Sequence, residues 1–113
     1  MESRRLLKIE SLIQKELGEI VERWLERPSG SLVTLTNVKV TADLSEAKVG
    51  VSVIPKEAAA EALKKLDRAH WEAEKLLRER LKFRPVPRLE FELDEGPEKA
   101  ARIEKLLLEE EKE

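Results

Sequence analysis

Between Ala47 and Val53, the apolar residues Ala47, Val49, Val51 and Val53 alternate with Lys48, Gly50 and Ser52. A period of two suits a strand with one buried face and does not suit a helix. Ahead of it, Leu32 to Val40 is rich in Val, Leu and Thr, but its alternation changes phase. Val33 and Leu35 point one way, Val38 and Val40 the other, and a β-bulge near Thr36-Asn37 reconciles the two halves. Ala42-Asp43-Leu44-Ser45 is turn material. So short a connection makes the two strands an antiparallel hairpin. A hairpin with one apolar face is marginal alone in water, so other elements must cover it.

The covering elements carry the helical period. Leu6, Ile9, Ile13, Leu17, Ile20 and Trp24 recur at three- and four-residue steps, with Leu12, Val21 and Leu25 widening the stripe. This first helix is expected to stop near Arg27, at the breaker cluster Pro28-Ser29-Gly30. Pro55 suits the first turn of a second, long helix that runs to about Lys82. Its apolar stripe is Ala59, Ala62, Leu63, Leu66, His70, Ala73, Leu77 and Leu81, and because it is unbroken it predicts a nearly continuous helix. Pro85 and Pro87 end that segment, and Leu89, Phe91 and Leu93 alternate with Arg88, Glu90 and Glu92 as a third strand. Gly96-Pro97 opens a short last helix whose expected buried side is Ala100, Ile103, Leu106 and Leu107. After Leu108 the chain is mostly Glu and is expected to fray.

The predicted fold class is α+β: a two-layer sandwich with helices on one face of a three-stranded sheet. One domain spans residues 1–95, followed by a short terminal helix and acidic tail over 96–113. A length of 113 residues is enough for one modest core.

Composition excludes several functions. The chain has no cysteine and a single histidine, so disulfides, thiolate metal sites and multi-histidine cages are unavailable. Lys8, Glu10 and Gln14 interrupt the N-terminal apolar residues, so no signal peptide is read there, and no run is long enough to span a bilayer. The cytosol is the default compartment. Glycines 18, 30, 50 and 96 are scattered and form no phosphate loop. Glu90, Glu92, Asp94 and Glu95 would be candidates for acid–base work. But Glu90, Glu92 and Asp94 fall opposite Leu89, Phe91 and Leu93, where a solvated strand face explains them. His70 lies on the apolar stripe and reads as a core or core-edge residue rather than a ligand or base. Catalysis and cofactor binding are therefore not expected.

Charge is distributed unevenly. Residues 1–88 hold 18 Lys/Arg against 14 Asp/Glu, a balance of +4, and residues 89–113 hold 4 against 10, a balance of −6. Opposite the apolar side of the long helix, Lys64, Arg68, Trp71, Lys75, Arg78 and Lys82 recur at steps of four and three with no acidic residue among them. Asp67, Glu72, Glu74 and Glu79 flank this stripe. Evenly spaced cations on a rigid helix can follow a phosphate backbone, and a tryptophan among them offers a face for an unpaired base. The competing reading is a solvated helix face braced by pairs such as Glu74 and Arg78, four residues apart. Spacing alone leaves the two level. An exposed tryptophan favours RNA, and Arg80, Arg84 and Arg88 extend the basic region.

The order of elements resembles a type II KH domain, and the local residues resemble the ribosome-binding factor A family. The likeness rests on Val33-Thr34-Leu35-Thr36-Asn37-Val38 and on the run from Asp43-Leu44-Ser45 through Ala47-Lys48-Val49 to Val51-Ser52-Val53. It continues in Arg80-Leu81-Lys82-Phe83-Arg84-Pro85-Val86-Pro87-Arg88-Leu89-Glu90-Phe91 and closes on Ala101-Arg102-Ile103-Glu104-Lys105-Leu106-Leu107. The resemblance implies a bacterial, cytoplasmic assembly factor that binds the immature 30S subunit through 16S rRNA. It implies help with late maturation of the rRNA 5′ end and an association with cold adaptation. It implies no enzymatic activity, no cofactor, no small-molecule substrate and no membrane, and a monomer is expected. The alternative is a protein-interaction module using the hairpin edge or the acidic tail. One motif departs from the family: where its members resemble one another in an Ala-x-Gly kink, this chain has Ala69-His70-Trp71.

Overall fold

The computed structural model describes residues 4–24 and 31–111. Leu25 and the expected helix stop near Arg27 at Pro28-Ser29-Gly30 lie outside the described residues, as does the side chain of Ala100.

Helix α1 spans Arg4–Trp24 and buries Ile9, Ile13, Leu17, Ile20 and Val21. Leu12, expected to widen that stripe, is exposed. Strands β1, Leu32–Val40, and β2, Glu46–Ile54, pair antiparallel. Their register slips between Leu35 and Asn37. The bulge thus stands where the phase change in the sequence requires it, and Val33 and Leu35 face Val53 and Val51 while Val38 and Val40 face Val49 and Ala47. At the hairpin turn the Asp43 carboxylate accepts from the Thr41 and Ser45 hydroxyls, each at 2.7 Å, and from the Ser45 N–H at 3.1 Å. Leu44 takes a left-handed backbone there, with φ 62°.

Pro55 precedes a single 3₁₀ turn, Lys56–Ala58, which leads into α2, Ala59–Arg68, and then α3, His70–Arg80. The long helix is therefore not continuous, contrary to the expectation from its apolar stripe. Ala69 sits at φ −96°, ψ 4° and shares its N–H between the Lys65 and Leu66 carbonyls, both at 3.1 Å. That pattern tightens the end of α2 and starts a new helix. The stripe survives the break because Ala62, Leu66, Ala73, Leu77 and Leu81 remain buried on both sides of it. A negative φ at Ala69 also means that the kink needs no glycine.

Strand β3, Arg88–Leu93, joins β2 in parallel, from Glu46↔Arg88 to Val51↔Leu93. Parallel neighbours require a crossover, and α2 and α3 supply it. The sheet order is β1-β2-β3. The main core gathers Ile13, Leu17 and Ile20 of α1 with Val49 and Val51 of β2 and with Leu66, Ala73 and Leu77 of α2 and α3. Glu90 and Glu92 are exposed as expected. Asp94 is tied down instead, accepting from Thr36 Oγ1 at 2.6 Å, Asn37 Nδ2 at 3.3 Å and the Gly96 N–H at 2.9 Å.

Two expectations for the C-terminal part fail. Helix α4 runs Gly96–Glu111, so the described chain is still helical for three residues past Leu108, where fraying was expected. Its apolar residues are not buried: Ile103, Leu106 and Leu107 are more than half exposed. A stripe at helical spacing marks an amphipathic helix, but it does not provide the surface against which to pack.

Candidate nucleic-acid interface

Lys64 and Arg68 stand on α2, Trp71, Lys75 and Arg78 on α3, and Lys82 just beyond it. All six are exposed, Trp71 at 72%. The ridge is thus two helical segments meeting at Ala69, with Trp71 closing the kink motif Ala69-His70-Trp71. A kink that turned Trp71 inward would have plugged the joint between the helices. Here Trp71 stays outside and His70 is the half-buried member of the motif, its side chain 15% exposed and its ring 5.5 Å from the indole at a tilt of 39°.

Burial of a carboxylate keeps the ridge basic. Glu74 does not brace Arg78, the pairing that the solvated-face reading requires. Instead, Glu74 is 6% exposed and points to the opposite side, where Oε2 lies 2.8 Å from His70 Nδ1 and accepts the Leu89 N–H at 2.9 Å. A buried carboxylate needs such partners, and these two link the start of α3 to the start of β3. Glu10 of α1 does the same for the hairpin, accepting the Val40 N–H at 2.8 Å. Neither role was foreseen from the sequence, where only a position beside an apolar stripe hinted at it. None of Lys64, Arg68, Lys75, Arg78 and Lys82 makes an ion pair among the described residues, so their charges remain available.

The three arginines expected to extend the ridge are placed differently. Arg80 points to α1 and donates through Nη1 to Glu16 and Glu19, both at 3.0 Å. Arg84 closes the end of α3, donating to the carbonyls of Leu81 at 2.9 Å, Phe83 at 2.8 Å and Arg78 at 2.7 Å. That is the usual service of a cation at a helix C-terminus. Arg88 lines a cavity of about 260 Å³ with Glu46, Asp67, His70, Leu89 and Glu90. Three carboxylates around one guanidinium make poor ground for a phosphate. Six of the nine expected residues are thus exposed on α2, on α3 or just beyond it, whereas Arg80 and Arg84 have internal partners.

No group of three or more His, Asp or Glu side chains is placed to hold a metal among the described residues, and none of the described helices is long and apolar enough to cross a membrane.

Residues 5–107 match the family model of ribosome-binding factor A. The ribosome-binding factor A of Chlorobaculum tepidum is 48% identical over 103 residues, covering 88% of this chain and 85% of that protein. The crystal structure of ribosome-binding factor A from Thermus thermophilus superposes with a TM-score of 0.68 at 30% identity, covering 78% of this chain and 93% of that one. A Thermus thermophilus ribosome binding factor A homology model, fitted into a cryo-EM map of its complex with the 30S subunit, superposes with a TM-score of 0.66 at 30% identity and the same coverage. Together with the helix–hairpin–kinked helix–strand architecture, these matches make the chain a member of the ribosome-binding factor A family.

Proposed function

We propose that this chain binds the immature small ribosomal subunit by laying the Lys64–Lys82 ridge along 16S rRNA. It assists late maturation around the 5′ end of that RNA and then leaves, acting in the cytoplasm as a monomer and without covalent chemistry. The observation that carries this reading is the set of five exposed cations at regular spacing, none in an ion pair among the described residues, with the exposed Trp71 between them. The cations neutralise phosphates, and the indole stacks on an unpaired base. Family membership and the 30S complex of the Thermus relative support the choice of RNA.

Co-sedimentation with free small subunits, large subunits and assembled ribosomes at two salt concentrations tests the proposal. Preferential binding to free or precursor small subunits, weakening steeply with salt, is expected. Equal partitioning among the three would leave only nonspecific RNA affinity. The uncovered apolar side of α4 favours a second reading, a protein-interaction module. That reading predicts subunit binding that depends on Ile103, Leu106 and Leu107 and only weakly on salt.

A further inference from the structure

Where the end of α1 meets the kink, a groove of about 300 Å³ is lined by Trp24, Lys65, Leu66, Ala69 and Glu72. Leu66 and Ala69 give it an apolar floor, the half-buried Trp24 indole forms a wall, and the exposed Lys65 and Glu72 supply one cation and one carboxylate. Small-molecule pockets span roughly 300–1,000 Å³, so this one suits a single planar group rather than a large ligand. We propose that it takes one unpaired guanine of an RNA strand, stacked on Trp24 and read by Glu72 and Lys65. This rests on the RNA-binding reading above.

The choice of base follows from the two polar groups. A carboxylate has only acceptors and an ammonium only donors. Guanine's Watson–Crick edge offers two adjacent donors, N1–H and N2–H, to a carboxylate, and the O6 acceptor beside them to an ammonium. Adenine and cytosine each present one amino group next to a bare ring nitrogen that a carboxylate repels. Uracil presents one N–H between two carbonyls. Glu72 has no hydrogen-bond or ion-pair partner among the described residues, and Lys65 has only an exposed 3.9 Å contact with Glu61 to give up.

The choice of a strand over a free nucleotide follows from position. Lys65 directly follows the ridge residue Lys64 on α2, and Glu72 directly follows Trp71 on α3, so on each helix the groove residue stands about 100° around from the ridge. A backbone held by Lys64 and Arg68 thus brings its bases to the groove's edge.

The test uses the Trp71→Phe protein, in which Trp24 is the sole indole, and uridine heptamers carrying a central G, A, C or U. Affinity is read by anisotropy and stacking by quenching of Trp24 fluorescence. The G heptamer is expected to bind about tenfold tighter than the others and to quench Trp24. Glu72→Gln and Lys65→Met change exposed residues, so folding is spared. Each is expected to erase the preference while base-independent binding remains. GMP is expected to bind far more weakly than the G heptamer; equal affinity would assign the groove to a free nucleotide and overturn the proposal. Equal affinities for the four heptamers, or no quenching of Trp24, overturns it as well, whether or not small subunits bind. If small subunits also fail to bind the protein with Trp71 in place, the ridge reading falls with it.

Discussion

Replacing Glu74 with alanine removes the carboxylate that ties the kink to the sheet. Its Oε2 meets His70 Nδ1 at 2.8 Å and the Leu89 N–H at 2.9 Å, and both Glu74 and Leu89 are nearly inaccessible to water. A hydrogen bond to a charged group contributes about 1.5–3 kcal/mol, and a buried N–H left without a partner adds its own penalty. Glu74→Ala should therefore cost about 3 kcal/mol. An unfolding entropy of about 2.1 cal/mol/K per residue makes 1 kcal/mol roughly 4 °C at this chain length, so the melting temperature should fall by roughly 12 °C. Glu74→Gln keeps a carbonyl acceptor for Leu89 and should lose only about 1 kcal/mol, or ~4 °C. Calorimetry under reversible conditions gives both values, and amide exchange at Leu89 should speed up in the alanine variant more than in the glutamine variant. A Glu74→Ala protein that melts within about 3 °C of the parent, or a glutamine variant as damaged as the alanine one, would refute this role for the carboxylate.

A Cβ at Gly50 would stand 2.7 Å from Thr36 Oγ1 and 2.9 Å from Asn37 Nδ2. Because Thr36 is held by its hydrogen bond to Asp94, Gly50→Ala should cost about 1–3 kcal/mol in a denaturant titration. Asp43 is held down to about 2, mainly by the Ser45 hydroxyl and then by the Thr41 hydroxyl and the Ser45 N–H; the Thr36 hydroxyl and then the Gly96 N–H lower Asp94. Depressed carboxylates contribute stability above their ordinary value of 3.8 and lose it as pH falls toward the folded value. The melting temperature should therefore drop below about pH 4, less steeply in Asp43→Asn. Deleting residues 102–113 should move it by no more than about 2 °C, since the described side chains of 102–110 are all exposed.

How much of this was legible depended on whether the signal was local. The bulge was legible because the alternation of Val33 and Leu35 falls visibly out of step with that of Val38 and Val40, although one core must take all four. The break at Ala69 was not legible in the stripe, since one residue of altered backbone leaves the three- and four-residue spacing of Leu66, Ala73 and Leu77 almost intact, and only the family resemblance pointed to a kink at Ala69-His70-Trp71. Exposure of Trp71 could be read from its place around the helix. The engagement of Arg80 with Glu16 and Glu19 could not, because it joins residues more than sixty positions apart. Glu74 looked like a surface residue of a charged helix until β3 supplied a backbone N–H for it. The stripe on α4 was visible, but whether anything covers it is a tertiary fact.

The ridge itself is tested most directly by comparing two variants for stability and for small-subunit binding across a salt series. Trp71 is 72% exposed, so Trp71→Ala should change stability by no more than about 0.5 kcal/mol. It should weaken small-subunit binding by about 1–3 kcal/mol with the salt slope unchanged. Arg68→Glu with Lys75→Glu should weaken binding too, but it should also flatten the slope of log affinity against log salt by about 1.4–1.8, at roughly 0.7–0.9 for each phosphate no longer neutralised. A large stability loss in Trp71→Ala with binding per folded molecule intact, or a salt slope untouched by the double reversal, would contradict the account.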